Sequence, residues 1–363
     1  MNRSRLPILV LIVAAACFVG CGGKKNGKGS GGGSGSPAAA PSFSLAWSEY
    51  PSWSVFGVAH EKGLVHQDKG KMGTIEKKWG VDIVLKQATY DTCLSLYGNG
   101  NVDAVCITNM DSLAPALSRD SVGILPTSTS DGADACIAVG IDNLDQLKGK
   151  TTYGLEKSVS QYTFERCLIL NNKDPKDFPF INMDPGEAAK AMQIKDKKIQ
   201  SIVVWNPFVL QTLRTRDGSK RLFDSRKIPE EIIDMVVASK DSLAKPGGEK
   251  FACAVIDTFY QVCRLMADSK EGDDTLVALG AKFSKLGLKD MKIVVKETQF
   301  YKTPEAALKL LGSKKFQKET MPMVVDFCVK HDMVKKKPKI GFDDTGSSFN
   351  FSSQYIKKVQ DKK

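Results

Sequence analysis

Short apolar segments alternate with amphipathic segments along most of the chain. Apolar runs of about five residues, bounded by glycine, proline or polar residues, predict strands, and the mixed segments between them predict helices. In the first part of the chain the predicted strands are Phe43–Trp47, Val81–Leu85, Val102–Ile107 and Ser121–Pro126, with helices over Val55–Lys62 and Tyr90–Tyr97. Such alternation is typical of a mostly parallel sheet that helices cover on both faces.

The same alternation starts again after an acidic, glycine-containing turn, Ser130–Asp134. The predicted strands of this second series are Thr151–Leu155, Phe178–Met183, Ile199–Trp205 and Asp234–Ser239, with helices over Ser158–Leu170 and Pro185–Met192. The apolar stretch Asp134–Val139 predicts a crossing from the first series to the second, and Asp234–Ser239 predicts the return. We therefore predict an α/β fold of two lobes, with hinges near Ala135–Val139 and Met235–Ser239.

The two predicted lobes divide the chain unevenly. Lobe I comprises residues 43–133 and 240–363, and lobe II comprises residues 134–239. A long helix is expected after residue 240, because apolar residues recur there at the spacing of one helix face: Ala252, Val255, Ile256, Phe259, Cys263 and Met266. The tail over residues 270–363 predicts extra C-terminal helices that pack on lobe I.

Residues 1–42 differ in composition from the rest of the chain. Arg3 and Arg5 precede an apolar stretch that is shorter than the roughly 20 residues a membrane-spanning helix needs and typical of a secretion signal. Phe18–Cys21 resembles a bacterial lipobox, which implies removal of residues 1–20 as a lipoprotein signal peptide and lipid attachment to Cys21. An ordinary cleaved signal is the alternative. Residues 21–42 are rich in Gly, Ser, Lys and Pro and predict a flexible tether.

The composition excludes several kinds of function. The formal net charge of +11 comes from lysines scattered without interleaved aromatic residues, which predicts solvated faces rather than a nucleic-acid site. Only three histidines are present, so histidine-rich metal sites and histidine-based catalysis are poorly supplied. The seven cysteines after Cys21 form no CxxC pair, which predicts small core residues with at least one free thiol. We therefore expect no catalytic residue, no metal and no cofactor.

Polar and aromatic residues gather where the predicted strands end. In open parallel sheets the ligand site lies beyond the carboxyl ends of the strands, and two such sheets facing each other would enclose one cleft. The candidate ligand-binding residues at these ends are Trp47, Tyr50, Trp53, Thr108, Asn109, Asp111, Ser130, Asp131, Asp134, Glu156, Ser158, Ser160, Trp205 and Asn206.

Several of these candidates also have a structural interpretation. Two tryptophans end apolar strands and could pack in the core, namely Trp47 and Trp205. Three carboxylates could instead stabilise a helix start or a turn, namely Asp111, Asp131 and Asp134. Ser158 is expected to cap its helix as part of the capping box Ser158-x-x-Gln161. That arrangement leaves Ser160 and nearby backbone amides free to receive an anion or a carbonyl oxygen.

Several segments of the chain resemble periplasmic solute-binding proteins of the nitrate/sulfonate/taurine class, which feed ABC importers. The similar strings are AWSEYPSWSVFGVAHEKGLV from Ala46, DGADACIAVGIDNLDQLKGK from Asp131 and IVVWNP from Ile202. Within this class TNMDSL, VVWNP and LFDSRKIPEEIIDMVV resemble the subgroup encoded beside urea carboxylase. The resemblance covers about Phe43 to Asp268. It implies a type II periplasmic-binding-protein fold, a monomer, a location in the periplasm as a membrane-anchored lipoprotein, and an ABC permease and ATPase as partners.

The charges near the predicted cleft bear on the kind of solute. Its loops hold several carboxylates and one cation, Lys157. A buried anion opposed to carboxylates would be unfavourable through desolvation and repulsion, whereas a urea- or guanidine-like solute would donate hydrogen bonds to them. We therefore expect a small nitrogenous solute. The alternatives are an anion (nitrate, taurine or an alkanesulfonate), a thiamine-precursor pyrimidine, an enzyme resembling the pyrimidine-forming synthases, or an adhesive or sensory lipoprotein.

Overall fold

Two β-sheets organise residues 39–362, the part of the chain that the computed structural model describes. The predicted signal peptide, most of the predicted tether and the predicted lipidation of Cys21 lie outside the described residues. The strands are β1 (Ser42–Trp47), β2 (Asp82–Gln87), β3 (Ala104–Thr108), β4 (Ser121–Ser130), β5 (Asp134–Val139), β6 (Thr152–Gly154), β7 (Phe180–Asn182), β8 (Ser201–Trp205), β9 (Ser219–Asp224), β10 (Ile233–Ser239), β11 (Thr298–Phe300), β12 (Ile340–Phe342) and β13 (Phe349–Phe351).

Helices cover both sheets. They are α1 (Val55–Glu61), α2 (Thr74–Trp79), α3 (Tyr90–Gly98), α4 (Leu144–Leu147), α5 (Val159–Leu170), α6 (Pro185–Gln193), α7 (Phe208–Thr215), α8 (Lys240–Ala244), α9 (Gly248–Ala267), α10 (Gly272–Lys282), α11 (Leu288–Glu297), α12 (Pro304–Leu311), α13 (Met321–Lys330) and α14 (Gln354–Gln360). The helix predicted after Thr108 is replaced by two short 3₁₀ turns, Asp111–Leu113 and Pro115–Leu117.

The larger sheet has the strand order β12-β13-β4-β10-β3-β1-β2, with β11 also paired to β4. Strands β2, β1 and β3 run parallel, whereas β10 is antiparallel to both β3 and β4. The smaller sheet has the order β7-β6-β8-β5-β9, in which β5 is antiparallel to β8 and β9. Below, lobe I means the larger sheet with its helices and lobe II the smaller sheet with its helices.

The antiparallel strands follow from the way the chain passes between the sheets. Strands β5 and β10 each start where the chain enters a new sheet, so both run away from the boundary while their neighbours run towards it. The sheets are therefore mixed: most strand pairs are parallel, as predicted, whereas β5, β10 and the short β11 are antiparallel to their neighbours.

The crossings between the lobes are short segments outside the regular strands. The first comprises residues 131–133, between β4 and β5, and the second residues 225–232, between β9 and β10. Gly132 in the first has φ +105°, a conformation that L side chains rarely adopt. The hinge positions predicted at Ala135–Val139 and Met235–Ser239 are wrong, because these stretches lie within β5 and β10. Residues 233–239, assigned to lobe II from the sequence, belong to the larger sheet.

The helix α9 is the central packing element of lobe I. Five of the six apolar residues predicted to share one face are buried, namely Ala252, Val255, Ile256, Phe259 and Cys263. Because this helix contacts α1, α2, α10 and α14, it joins the C-terminal region to the first helices of the chain. The predicted C-terminal helices are present, and three short strands missed from the sequence, β11, β12 and β13, extend the larger sheet.

The seven cysteines within the described residues are all buried and free. Burial raises the pKa of each thiol, for example that of Cys136 to about 12 and that of Cys93 to about 11. The prediction that they are small core residues is confirmed. No helix within residues 39–362 is long and apolar enough to cross a membrane.

Candidate ligand-binding site

A cleft of about 530 Å³ opens between the ends of the two sheets. Lobe I lines it with residues from the loop after β1, from α3, from the segment after β3 and from β10. Lobe II lines it with residues from the start of β5, the loop before α5 and the end of β8. The carboxyl ends of β1, β2, β3 and β8 meet here, as expected for a site at the edge of open sheets.

Seven of the residues predicted from the sequence line this cleft. They are Tyr50, Trp53, Thr108, Asp111, Asp134, Ser158 and Trp205. Their common feature is that each follows or ends a strand, or begins a strand or helix, at the boundary between the lobes.

The other seven predicted residues do not line the cleft. Trp47 packs under α1, with its ring 2.8 Å from the position that a Cβ atom of Gly57 would take. Asn109 holds the second crossing, since its Nδ2 donates to the Glu231 carbonyl at 3.1 Å. Glu156 is exposed. The remaining four lie behind the lining or beside the first crossing: Ser130, Asp131, Ser160 and Asn206.

Sequence reasoning missed two polar lining residues of particular interest, Tyr90 and Asp234. Tyr90 begins α3 just beyond the carboxyl end of β2, so the rule applied to the other strands would have identified it. Asp234 lies near the amino end of β10, which reaches the cleft only because this strand is antiparallel. A search confined to carboxyl ends could not identify it.

Aromatic rings form a wall on the lobe I side. The Trp53 ring stacks on that of Tyr90, with centroids 5.4 Å apart and an angle of 13° between the planes. Tyr50 lies against the same indole at 4.9 Å. Trp205 lines the cleft from lobe II. The cleft therefore presents flat apolar faces from both lobes.

One carboxyl group is held by the aromatic wall. Asp111 Oδ2 accepts hydrogen bonds from the Tyr90 hydroxyl at 2.7 Å and from Thr108 Oγ1 at 2.8 Å. Burial raises the pKa of Asp111, and these two hydrogen bonds oppose the rise. The Tyr90 hydroxyl thus orients Asp111 while its ring supports Trp53.

Two further aspartates lie at the buried end of the cleft, one from each sheet. Asp134 is 2% exposed, and Ser130 Oγ donates to its Oδ2 at 2.6 Å. Asp234 is equally buried, and Ser128 Oγ donates to its Oδ2 at 2.6 Å. Burial raises the pKa of Asp134 to about 6. Burial also raises the pKa of Asp234 well above its usual range, and the nearby charge of Asp134 adds to the rise.

Two buried polar atoms of the lining have no hydrogen-bond partner within residues 39–362, namely Asp134 Oδ1 and Trp53 Nε1. The Tyr50 hydroxyl makes no hydrogen bond of regular geometry there, although Asp234 and Thr298 lie close enough to affect its pKa. Burial raises the pKa of Tyr50 well above its usual range, with the charges of Asp234 and Asp134 adding to the rise. Because a buried polar atom without a partner is destabilising by about 1–3 kcal/mol, these atoms mark positions where a solute could complete the hydrogen bonding.

The N-terminus of α5 forms part of the lobe II wall. Ser158 Oγ accepts from the Ser160 backbone N–H at 3.1 Å and donates to the Leu155 carbonyl at 2.7 Å. Gln161 Oε1 accepts from the Lys157 backbone N–H at 2.8 Å. Ser158 is therefore a cap, as expected, although Gln161 bonds one residue earlier than in a regular capping box.

The charge of the cleft is negative. Four carboxyl groups line it, Glu49, Asp111, Asp134 and Asp234, and no Lys or Arg does so within residues 39–362. The same part of the chain contains no group of three or more His, Cys, Asp or Glu side chains placed to hold a metal ion.

The C-terminal region ties lobe II to the edge of the cleft. Glu297, at the end of α11, accepts from Arg221 of β9 at 2.6 Å and from Asn206 Nδ2 at 2.7 Å. Its backbone carbonyl accepts from the Asp131 N–H in the first crossing at 2.8 Å. Asn206 follows Trp205, so Glu297 helps to position an aromatic face of the cleft.

Neither a protein-family model nor a characterised protein sequence matches the chain. Several solved structures are similar to the chain. The periplasmic aliphatic sulphonate-binding protein SsuA from Escherichia coli has a TM-score of 0.65 and 16% identity, covering 82% of this chain and 94% of that protein. The alkanesulfonate-binding protein SsuA from Xanthomonas axonopodis, bound to MOPS, has a TM-score of 0.62 and 14% identity, covering 83% and 96%.

A third similar structure is the periplasmic nitrate-binding protein NrtA from Synechocystis. It has a TM-score of 0.55 and 12% identity, covering 78% of this chain and 85% of that protein. These likenesses show the fold: the chain has the two-sheet fold of the periplasmic binding proteins. The predicted fold class is thereby confirmed.

Proposed function

We propose that this chain is the solute-binding component of an ABC importer and captures a small nitrogenous solute, cationic or rich in N–H donors, between its lobes. The fold is that of proteins with such roles, and the cleft lies between two lobes that two crossings join within residues 39–362. The expected solutes are urea- or guanidine-like, in keeping with the sequence resemblance to the subgroup encoded beside urea carboxylase.

The observation that carries this proposal is the negative charge of the cleft. Carboxyl groups line it from both lobes, and no Lys or Arg of residues 39–362 opposes them. Bringing an anion into this low-dielectric space would leave its charge unpaired and close to other negative charge, which is strongly unfavourable. Planar N–H donors would instead bond to the carboxylates and lie on the aromatic faces.

The second candidate function is the same role for an anion. The named proteins of similar structure bind aliphatic sulphonate, alkanesulfonate and nitrate, which favours this alternative. At 12–16% identity, however, the residues lining the site need not be shared. Because the lining residues of this chain decide what it binds, we place the cationic solute first.

The partners follow from the role. A solute-binding component delivers its ligand to a permease that an ATPase drives, and lipid on Cys21 would hold it beside that permease in the membrane. We expect a monomer without catalytic activity. An enzyme resembling the pyrimidine-forming synthases would convert its ligand, so recovery of an unchanged solute after prolonged incubation is the expected result.

Titration calorimetry tests the proposal directly. Guanidinium or urea should bind, whereas nitrate and taurine should not. Asp111→Asn should weaken guanidinium binding more than tenfold, about 1.4 kcal/mol. Asp217→Asn, which changes an exposed aspartate of lobe II, is the matched control and should leave affinity unchanged. Tight binding of nitrate or taurine with none of urea or guanidinium would reverse the choice of solute.

A further inference from the structure

The lining of the cleft combines buried aspartates with aromatic side chains, and this combination specifies the solute more closely. Resting on the proposed function, we propose that the solute is a cation in two parts: a planar amidinium-type head at Asp134, and a flat ring between Trp205 and Tyr90 of the Trp53–Tyr90 pair.

The head position follows from the pairing of β5 with β8. Asp134 and Trp205 are directly opposite each other in this antiparallel pair, so their side chains project side by side on the same face of the smaller sheet. One carboxylate oxygen of Asp134 accepts a hydrogen bond from the Ser130 hydroxyl, and its other oxygen is buried without a partner within residues 39–362. A ligand N–H beside Trp205 would complete the bonding of this carboxylate.

The larger sheet brings a second carboxyl group to the same end. Asp234 is opposite Thr108 in the pairing of β10 with β3. One carboxylate oxygen of Asp234 accepts a hydrogen bond from the Ser128 hydroxyl. The Tyr50 hydroxyl is buried and lies close enough for both aspartates to influence its pKa. A planar head with N–H groups on two sides can bond to more than one of these groups, whereas a single ammonium presents no flat face.

The ring position follows from the aromatic residues. The Trp53 and Tyr90 rings are nearly parallel on lobe I, and Trp205 contributes a face from lobe II. A flat ring between them would gain stacking of about 0.5–1.5 kcal/mol per pair beyond the burial of its surface. Trp53 is itself buried, so a solute without a ring would leave the partly exposed Tyr90 and Trp205 in contact with water.

The volume of the cleft agrees with a two-part solute. The cleft holds about 530 Å³. A guanidinium ion has only four heavy atoms and occupies roughly the space of three water molecules, about 90 Å³. Sites for ring-sized and larger ligands typically measure about 300–1,000 Å³. The head alone would therefore fill a small part of the space.

The positive charge of the solute follows from the carboxyl groups that line the cleft and from the absence of any Lys or Arg of residues 39–362 among its lining. Asp134, with a pKa raised to about 6, stays ionised at neutral pH, whereas burial favours the protonated form of Asp234. The other titratable groups that face this pair are Tyr50 and, along the wall, Asp111 and Glu49.

Four probes separate head from ring in titration calorimetry at pH 7.5. Benzamidinium has both parts, benzamide has the ring with a neutral head, acetamidinium has the head without a ring, and acetamide has neither. Benzamidinium should bind at least tenfold more tightly than benzamide and at least tenfold more tightly than acetamidinium. Equal affinity for benzamide would overturn the charged head, and equal affinity for acetamidinium would overturn the ring position.

Two variants should remove the two preferences separately. Asp134→Asn should abolish the preference for benzamidinium over benzamide, and Trp205→Leu should abolish its preference over acetamidinium. Asp217→Asn should preserve both, and thermal unfolding checks that each variant is folded. Variants that keep both preferences would overturn the assignment of the residues.

Further outcomes distinguish this inference from the proposed function. Binding of guanidinium but of none of the four probes would overturn the two-part solute and leave the proposed function standing. Tight binding of benzenesulfonate, with none of the cations, would overturn both.

Discussion

Asp134 combines two demands that oppose each other. Burial makes its ionised form unfavourable in the folded protein, while the proposed function needs that negative charge for a cationic solute. The loss of stability at this residue is therefore expected to be recovered only when a solute supplies the missing partner. Sites that bind charged ligands commonly show this conflict between stability and function.

The first prediction concerns the pH dependence of this conflict. The folded-state pKa of Asp134, about 6, lies above its ordinary value of 3.8. The folded protein therefore binds the proton more tightly than the unfolded chain, and stability falls as the pH rises from about 4 to about 6. Without ligand, Asp134→Asn should be more stable than the natural protein at pH 8, by about 2–3 kcal/mol. The gain should disappear near pH 4.

Thermal unfolding followed by calorimetry across this pH range measures the effect without adding urea, which is itself an expected solute. Asp268→Asn provides a control of opposite sign, because backbone N–H groups of Lys270 and Glu271 lower the pKa of Asp268. That variant should lose stability above pH 4. Parallel curves for the natural protein and Asp134→Asn would contradict the prediction.

The second prediction concerns the Tyr50 hydroxyl. It is buried and makes no hydrogen bond of regular geometry within residues 39–362, although Asp234 and Thr298 lie close enough to affect its pKa, so removing it should cost little hydrogen bonding in the free protein. Tyr50→Phe should leave the free protein as stable or slightly more stable, by up to about 1 kcal/mol. It should nevertheless weaken binding of the cationic solute several-fold. Thermal unfolding with and without benzamidinium separates the two effects, and a large loss of stability in the free protein would show that the hydroxyl has a structural role.

At the level of elements, α11 contacts lobe II through two acidic residues in unlike surroundings. Glu297 binds Arg221, and both side chains are largely buried, with 16% and 17% exposed. Asp290 binds Arg214 at the surface, and Arg214 is 45% exposed. The two pairs come from the same helix, so they allow the effect of burial on an ion pair to be compared directly.

The third prediction uses this comparison. Glu297→Gln should lower the free energy of unfolding by about 1–3 kcal/mol, because it leaves Arg221 less well paired and weakens the bond to Asn206. Asp290→Asn should change it by about 0.5 kcal/mol or less, as for most exposed pairs. Thermal unfolding of both variants, followed by calorimetry, gives the two values. Equal losses of unfolding free energy in the two variants would mean that the buried position of Glu297 beside the first crossing does not strengthen its contribution to stability.

The elements also show how far the sequence alone could lead. Apolar runs located β1, β2, β3, β5, β8 and β10, since a strand buried on both faces is continuously apolar. They could not locate β9, whose sequence SKRLFD is mostly polar and lies at a sheet edge, or the three-residue strands β11 to β13. The crossings were misplaced for another reason. The prediction places the connections in the apolar segments of β5 and β10, whereas the observed connections, DGA and SRKIPEEI, are mostly polar. Only pairing with distant segments shows that β5 and β10 lie inside the sheets.

For the whole molecule, the site depends on how the lobes face each other. The residues found from the sequence lie at strand ends, a local property. Asp234 was missed because its position at the cleft depends on the direction of its strand. Asn109 was wrongly included because the sequence does not show that its side chain bonds to Glu231 and Ile233, more than a hundred positions away. Contacts between distant residues decide which side chain at a strand end faces the cleft.

The fourth prediction concerns motion of the lobes. The crossings over residues 131–133 and 225–232 are short, and a solute that contacts both lobes should favour a closed arrangement. Small-angle scattering should show a smaller radius of gyration when the tightest-binding cation saturates the protein. An unchanged radius at saturation would indicate binding without closure.

The fifth prediction concerns the N-terminus, outside the described residues. If Cys21 is the lipidated residue, Cys21→Ala should release the protein into the soluble fraction or leave the signal uncleaved. Fractionation of cells, with mass spectrometry of the N-terminus, measures both. Normal processing and membrane retention of the variant would contradict the lipobox interpretation.

The buried thiols have a practical consequence for measuring such motion. The seven cysteines of residues 39–362 are enclosed in the core, and a thiol whose pKa burial has raised is a poor nucleophile. A chain that starts at residue 39 should therefore react slowly with maleimide dyes in its native state. One cysteine introduced on the surface of each lobe could then be labelled selectively, and fluorescence transfer between the two dyes would report the distance between the lobes without any natural cysteine having to be replaced.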